Sequence, residues 1–165
     1  METLTLHKRI KGIMENLLTA EERRLEKARV DLIEKNRKFY PDEPHDGFTY
    51  VGSVYDPPNL PRGPRKRVFL HTSLHPEMDA LIKDREQVLS DRYVLSQLLF
   101  RLLAPCKDDQ DIRDALPECI IDTTDLPRMT RLREPGWTLT SAQDQRQFKM
   151  ILPRIEFYSA ARMLY

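Results

Sequence analysis

Four cations stand within six positions at Arg62, Arg65, Lys66 and Arg67, inside the stretch LPRGPRKRVFLHTSLHP that runs from Leu60 to Pro76. Four aromatic residues, Phe48, Tyr50, Tyr55 and Phe69, lie close by in sequence. Cations grip phosphate oxygens and aromatic faces stack on bases, which is how single-stranded nucleic acid is held without sequence preference. A second basic group, Arg128, Arg131 and Arg133 with Trp137 shortly after, would extend such a surface. Two other readings stand beside this one. The upstream limb carries Asp42, Glu43, Asp46 and Asp56, and folding it onto the basic limb would neutralise the cluster within the chain. Alternatively, the proline-stiffened basic turn docks onto an acidic protein partner.

The histidines offer less chemistry. HTSL, from His71 to Leu74, resembles the H-x-[ST] half-motif of the two-histidine phosphoesterases, in which one histidine acts as base and the other as acid. Two such motifs are required, and the remaining histidines stand in HKR, HDG and HPE, none of which supplies the second. His71 and His75 have the four-residue spacing of helical metal ligands, but Pro76 biases His75 away from helical geometry. In a strand the pair would stand roughly 13 Å apart, too far to share an ion. Cys106 and Cys119 form neither a disulfide framework nor a CxxC site, and read as free, buried thiols in a reducing cytoplasmic setting. The acidic run KDDQD suits a helix N-terminus better than a metal. No cofactor or metal is expected, and an enzyme ranks third, because no pair of groups has recognisable catalytic spacing.

The elements that would position these residues are mostly helical. At 165 residues, 40% hydrophobic and 32% charged, the chain fits one ordinary globular domain. Five glycines argue against a β-sandwich or a Rossmann-type phosphate loop. A balance of 27 basic to 26 acidic residues gives a net charge of +1, so any grip on nucleic acid must come from a local patch. No apolar run reaches the length of a membrane span, and no membrane partner is expected.

From Leu4 to about Phe39 there is no proline, and Leu6, Ile10, Ile13, Leu17 and Ala20 recur at spacings of three and four. One helix is expected over 1–39, able to serve as an oligomerisation arm because it is long, charged and apolar on a narrow seam. Thr19 and Glu22 have capping-box spacing, which offers a break into two helices as the alternative. A second helix is expected over 76–104, with Met78, Leu81, Ile82, Val88 and Leu89 as one buried stripe and YVLSQLLFRLL as the central core segment. Phe48–Tyr55 and Arg67–Leu74 flank turn formers and predict a small β-hairpin at about 48–74. A short helix over Asp108–Leu116 follows, then an extended connection with a short strand at Cys119–Ile121. The last helix starts near Ser141, with Asp144 at capping-box distance, and carries Pro153 inside it.

The expected fold is therefore mainly α: three to four long helices around a central apolar helix, with a hairpin inserted, and 40–165 forming the helical core. In composition and lack of motifs the chain is similar to small phage and mobile-element accessory proteins. The function expected is that of a non-enzymatic interaction protein, homo-oligomeric, binding or occluding a macromolecular partner. A protein partner is favoured, and nucleic-acid binding through the basic, aromatic hairpin is the alternative.

Overall fold

A computed structural model describes residues 3–35, 48–55, 65–124, 126 and 134–164, with side chains described for 5–35, 69–124, 126 and 134–164. Its described residues are mainly helical. The order is α1 (Thr3–Lys35), β1 (Phe48–Tyr55), β2 (Arg65–His71), a 3-10 turn (Thr72–Leu74), α2 (His75–Leu103), α3 (Asp109–Ala115), α4 (Glu118–Ile121) and α5 (Ala142–Arg162). By internal contacts the chain divides into two compact units. One comprises Met1–Arg23 with Glu86–Tyr165, and the other Arg24–Arg85.

α1 is unbroken over 33 residues. The capping box offered by Thr19 is not used as a helix start, because the Thr19 hydroxyl donates to the Glu15 carbonyl one turn back. In the first unit the apolar stripe of α1, including Leu6, Ile10, Ile13, Leu17 and Leu18, is buried. It meets a core whose fully enclosed members include Leu95, Leu98, Leu99 and Leu102 of α2, together with Ile112, Leu116 and Ile120. Each fully buried leucine contributes roughly 1.5–3 kcal/mol through removal from water.

The 3-10 turn that precedes α2 is capped by a histidine. His71 is extended, and its Nδ1 accepts from the Ser73 backbone N–H at 3.2 Å, so HTSL starts the 3-10 turn that leads into α2. The stripe expected in the first half of α2 divides differently. Met78 and Val88 are buried, whereas Ile82 and Leu89 are about half exposed, at 48% and 52%. Val88, Leu95 and Leu102 are seven apart and take the inner face, which turns Leu89 outward.

Asp108 caps α3 by accepting from the Asp111 N–H at 2.9 Å. The strand expected at Cys119–Ile121 is a helical turn instead. Pro117 is extended at its N-cap, and its carbonyl accepts from the N–H groups of Ile120 and Ile121 at 3.0 and 3.1 Å, closing the turn despite two β-branched residues. Gly136, with φ of 81°, ties the segment before α5 to α3: its N–H donates to the Ala115 carbonyl at 2.8 Å. Ser141 caps α5, accepting from the Asp144 N–H at 3.4 Å. Pro153 does not split α5, which runs unbroken from Ala142 to Arg162. The proline faces solvent while Ile151 and Ile155 stay buried, so the carbonyl left without a helical donor lies on the wet side.

In the second unit, Leu32 and Ile33 of α1 pack with Leu70 of β2 and Met78 of α2, with Leu74 and Leu81 at the edge. β1 and β2 pair antiparallel, Phe48 opposite His71 and Tyr55 opposite Arg65, with a register shift between Tyr50 and Gly52. No helix among the described residues is long and apolar enough to cross a membrane.

Candidate functional site

The first unit presents an apolar line along α2. Leu89, Tyr93 and Phe100 follow one another at spacings of four and seven, which places them on one face of the helix. They are 52%, 69% and 41% exposed, while Leu95, Leu98, Leu99 and Leu102 on the opposite face are wholly enclosed. Ser90, Ser96 and Gln97 beside the line are uncharged, whereas Glu86, Arg92 and Arg101, also its neighbours on the helix, are charged. Phe100 has the His7 ring of α1 at 5.8 Å, centroid to centroid. α5 exposes Met150 and Phe157, again seven apart. Between the two helices, Tyr93, Gln97 and Arg101 of α2 and Gln143, Asp144 and Gln147 of α5 line a polar cleft of about 200 Å³, in which Arg101 Nη1 donates to Asp144 Oδ1 at 2.8 Å.

Behind this face α2 and α5 are joined by a buried carboxylate. Asp91, 1% exposed, accepts from Gln87 Nε2 at 2.9 Å on one oxygen, and from Arg154 Nε at 2.7 Å and the Tyr158 hydroxyl on the other. Burial, and then the hydrogen bond to Asp91, push the Tyr158 phenol well above its ordinary range. Both carboxylate oxygens are occupied and the phenol is held neutral, so the group clamps two helices and is not arranged to move protons. On α1, Glu22 accepts from Arg92 of α2. Together these pairs fix the rotation of α2 and hold Leu89, Tyr93 and Phe100 outward.

The residues nominated by the sequence are placed unevenly. Arg65, Lys66 and Arg67 lie on β2, opposite Tyr55, Val54 and Ser53 of β1, and Tyr50 lies opposite Phe69. Phe69 itself is buried, 7% exposed, which removes its ring from any surface that stacks on bases. Arg62, Arg128, Arg131 and Arg133 lie outside the described residues, as do Asp42, Glu43, Asp46 and Asp56. Among the described residues no three His, Cys, Asp or Glu side chains are grouped to hold a metal ion. Both cysteines are free. The Cys106 thiol donates to the Leu102 carbonyl at 3.3 Å and is pushed up to about 11 by burial and by Asp111, Asp108 and Asp114, which is the opposite of an activated nucleophile.

The apolar line on α2 escaped the sequence reading, although a signal was present. YVLSQLLFRLL is apolar on more faces than one core can cover, so part of it had to be left outside. Comparison with known proteins adds no further assignment: no protein family, curated protein or solved structure matches the chain.

Proposed function

We propose that the protein is a non-enzymatic interaction module that pairs with a second copy of itself through the outer face of α2 and binds a macromolecular partner, a protein being favoured. The observation that carries this reading is the exposure of Leu89, Tyr93 and Phe100 in one line on a helix tied by polar pairs to α1 and, through the buried Asp91, to α5. A two-fold interface brings identical patches together, so a rim of like charge would repel its own copy. Ser90, Ser96 and Gln97 are uncharged, and the rim cations Arg92 and Arg101 are paired within the chain with Glu22 and Asp144, which limits that repulsion. Free cysteines fit a reducing, cytoplasmic setting.

Light scattering at about 50 µM is expected to give twice the 19.5 kDa chain mass, within the concentration range where modest interfaces associate. The double substitution Leu89→Ser, Tyr93→Ser should return the single-chain mass with its helical circular dichroism unchanged. A wild-type mass of 19.5 kDa at that concentration would refute self-pairing.

The second reading is nucleic-acid binding at the basic hairpin, and it draws on the register that sets Arg65 opposite Tyr55 on the paired strands. Lys66 and Arg67 follow on the same strand, opposite Val54 and Ser53. Binding of a single strand should weaken with salt, and replacing Arg62, Arg65, Lys66 and Arg67 with serine should flatten that dependence by about 0.7 log units per lost phosphate contact. A gel shift that is blank at about 50 mM salt removes this reading, since counterion release favours binding most strongly there.

A further inference from the structure

We propose that a cleft between α1 and the C-terminal part of α5 is a binding site for a phosphomonoester dianion, gripped by Arg23 and Arg162. The cleft measures about 440 Å³ and is lined by Glu15, Asn16, Thr19, Ala20, Arg23 and Arg162, all within the first unit. It is the donors left over that define its chemistry. Arg23 is exposed and has no hydrogen-bond or ion-pair partner among the described residues. Arg162 is half buried, and its Nη2 donates to the Asp122 carbonyl at 3.2 Å. Its Nε is buried and has no hydrogen-bond partner among the described residues. A guanidinium carries five N–H donors, so most of the donor capacity of both arginines is unspent. Asn16 Nδ2 donates once, to the Thr123 carbonyl at 3.1 Å, and retains a second proton. The Thr19 hydroxyl already donates to the Glu15 carbonyl, so it offers no proton to a ligand.

Two guanidinium forks and the remaining Asn16 amide N–H make a set in which donors predominate, with a double positive charge from the arginines. The only acidic side chain in the lining, Glu15, has Lys11 Nζ at 3.9 Å from its carboxylate, which offsets its charge. A tetrahedral oxyanion with several acceptor oxygens suits such a set better than a planar carboxylate, because each arginine can engage two of its oxygens. The cleft has room beyond the anion for the organic group of an ester. The cleft shares no lining residue with the apolar line of α2.

The test uses the full chain and phenyl phosphate as probe, with titration calorimetry at constant ionic strength and inorganic phosphate and sulfate in parallel. Saturable binding of phenyl phosphate is expected, weakened at least tenfold by Arg23→Gln, a change on an exposed side chain that leaves the fold intact. Arg162→Gln should weaken it likewise, and the double substitution should abolish it. Binding that is absent, or that survives both substitutions in a protein with native circular dichroism, overturns the site. Binding of a single-stranded oligonucleotide without terminal phosphate, in place of phenyl phosphate, overturns the monoester assignment.

Discussion

Replacing Asp91 with alanine is expected to destabilise the protein by about 3–5 kcal/mol, the cost of breaking a buried charged cluster by removing one member. For a chain of this length that corresponds to a fall in melting temperature of roughly 6–20 °C. The substitution strips the acceptor from Gln87, Arg154 and Tyr158 together. Arg154 is part-exposed and can turn to water, but the Tyr158 hydroxyl is enclosed and would be left without a partner. Tyr158→Phe removes one donor and leaves the carboxylate two others, so a smaller loss of roughly 1–3 kcal/mol is expected. The two variants differ further with pH. Because the folded phenol titrates above its ordinary value of about 10, the folded state binds a proton that the unfolded chain gives up. Stability is then fully present below pH 10 and declines as pH rises beyond it, and Tyr158→Phe should lack that alkaline decline. A denaturant midpoint for Asp91→Ala equal to wild type would show that α2 and α5 are held by apolar contact alone.

Leu99→Ala is expected to cost about 2–5 kcal/mol, the range for large-to-small changes in closely packed cores. Leu99 is wholly enclosed, as are Leu95, Leu98 and Leu102 on the same side of α2. Leu89→Ala on the outer face removes the same atoms from a half-exposed position, and in the single chain it should change stability by no more than about 0.5 kcal/mol. Urea titrations of both variants at low protein concentration make the comparison. Equal midpoints would show that the assignment of inner and outer faces is wrong.

Much of the architecture was legible because it is written in local chemistry. The three- and four-residue spacing from Leu6 to Ala20, the proline-free run of α1, and the Ser141–Asp144 spacing each specify structure through neighbours in sequence. Cys119–Ile121 misled for the converse reason: its two isoleucines favour a strand, and Pro117 overrides them by presenting a carbonyl that closes a helical turn. Asp91 could not be recognised as a core residue at all. In LSDRYV it resembles a solvated helix position, and only Arg154 and Tyr158, 63 and 67 positions away, make it an interior group. The outer face of α2 was hidden by the same arithmetic, since Val88 and Leu89 are equally apolar and only packing decides which of them turns inward.

Gly136 carries a consequence for how this sequence can drift. A Cβ at this position would meet Leu139 Cδ1 and Phe148 Cδ1 at 3.5 Å, ordinary contact distances, so there is room for a side chain. The restriction is a torsion angle: at φ of 81° most residues suffer a clash between Cβ and the following carbonyl, worth roughly 1–2 kcal/mol. Asparagine and aspartate, which visit this conformation more readily, are the replacements the backbone tolerates best. Charged residues of α1 that simply face water, such as Lys8, Lys27, Asp31 and Lys35, are interchangeable by comparison. Among diverged copies of this chain, a single glycine ahead of α5 should therefore outlast most of the charges that dominate its composition.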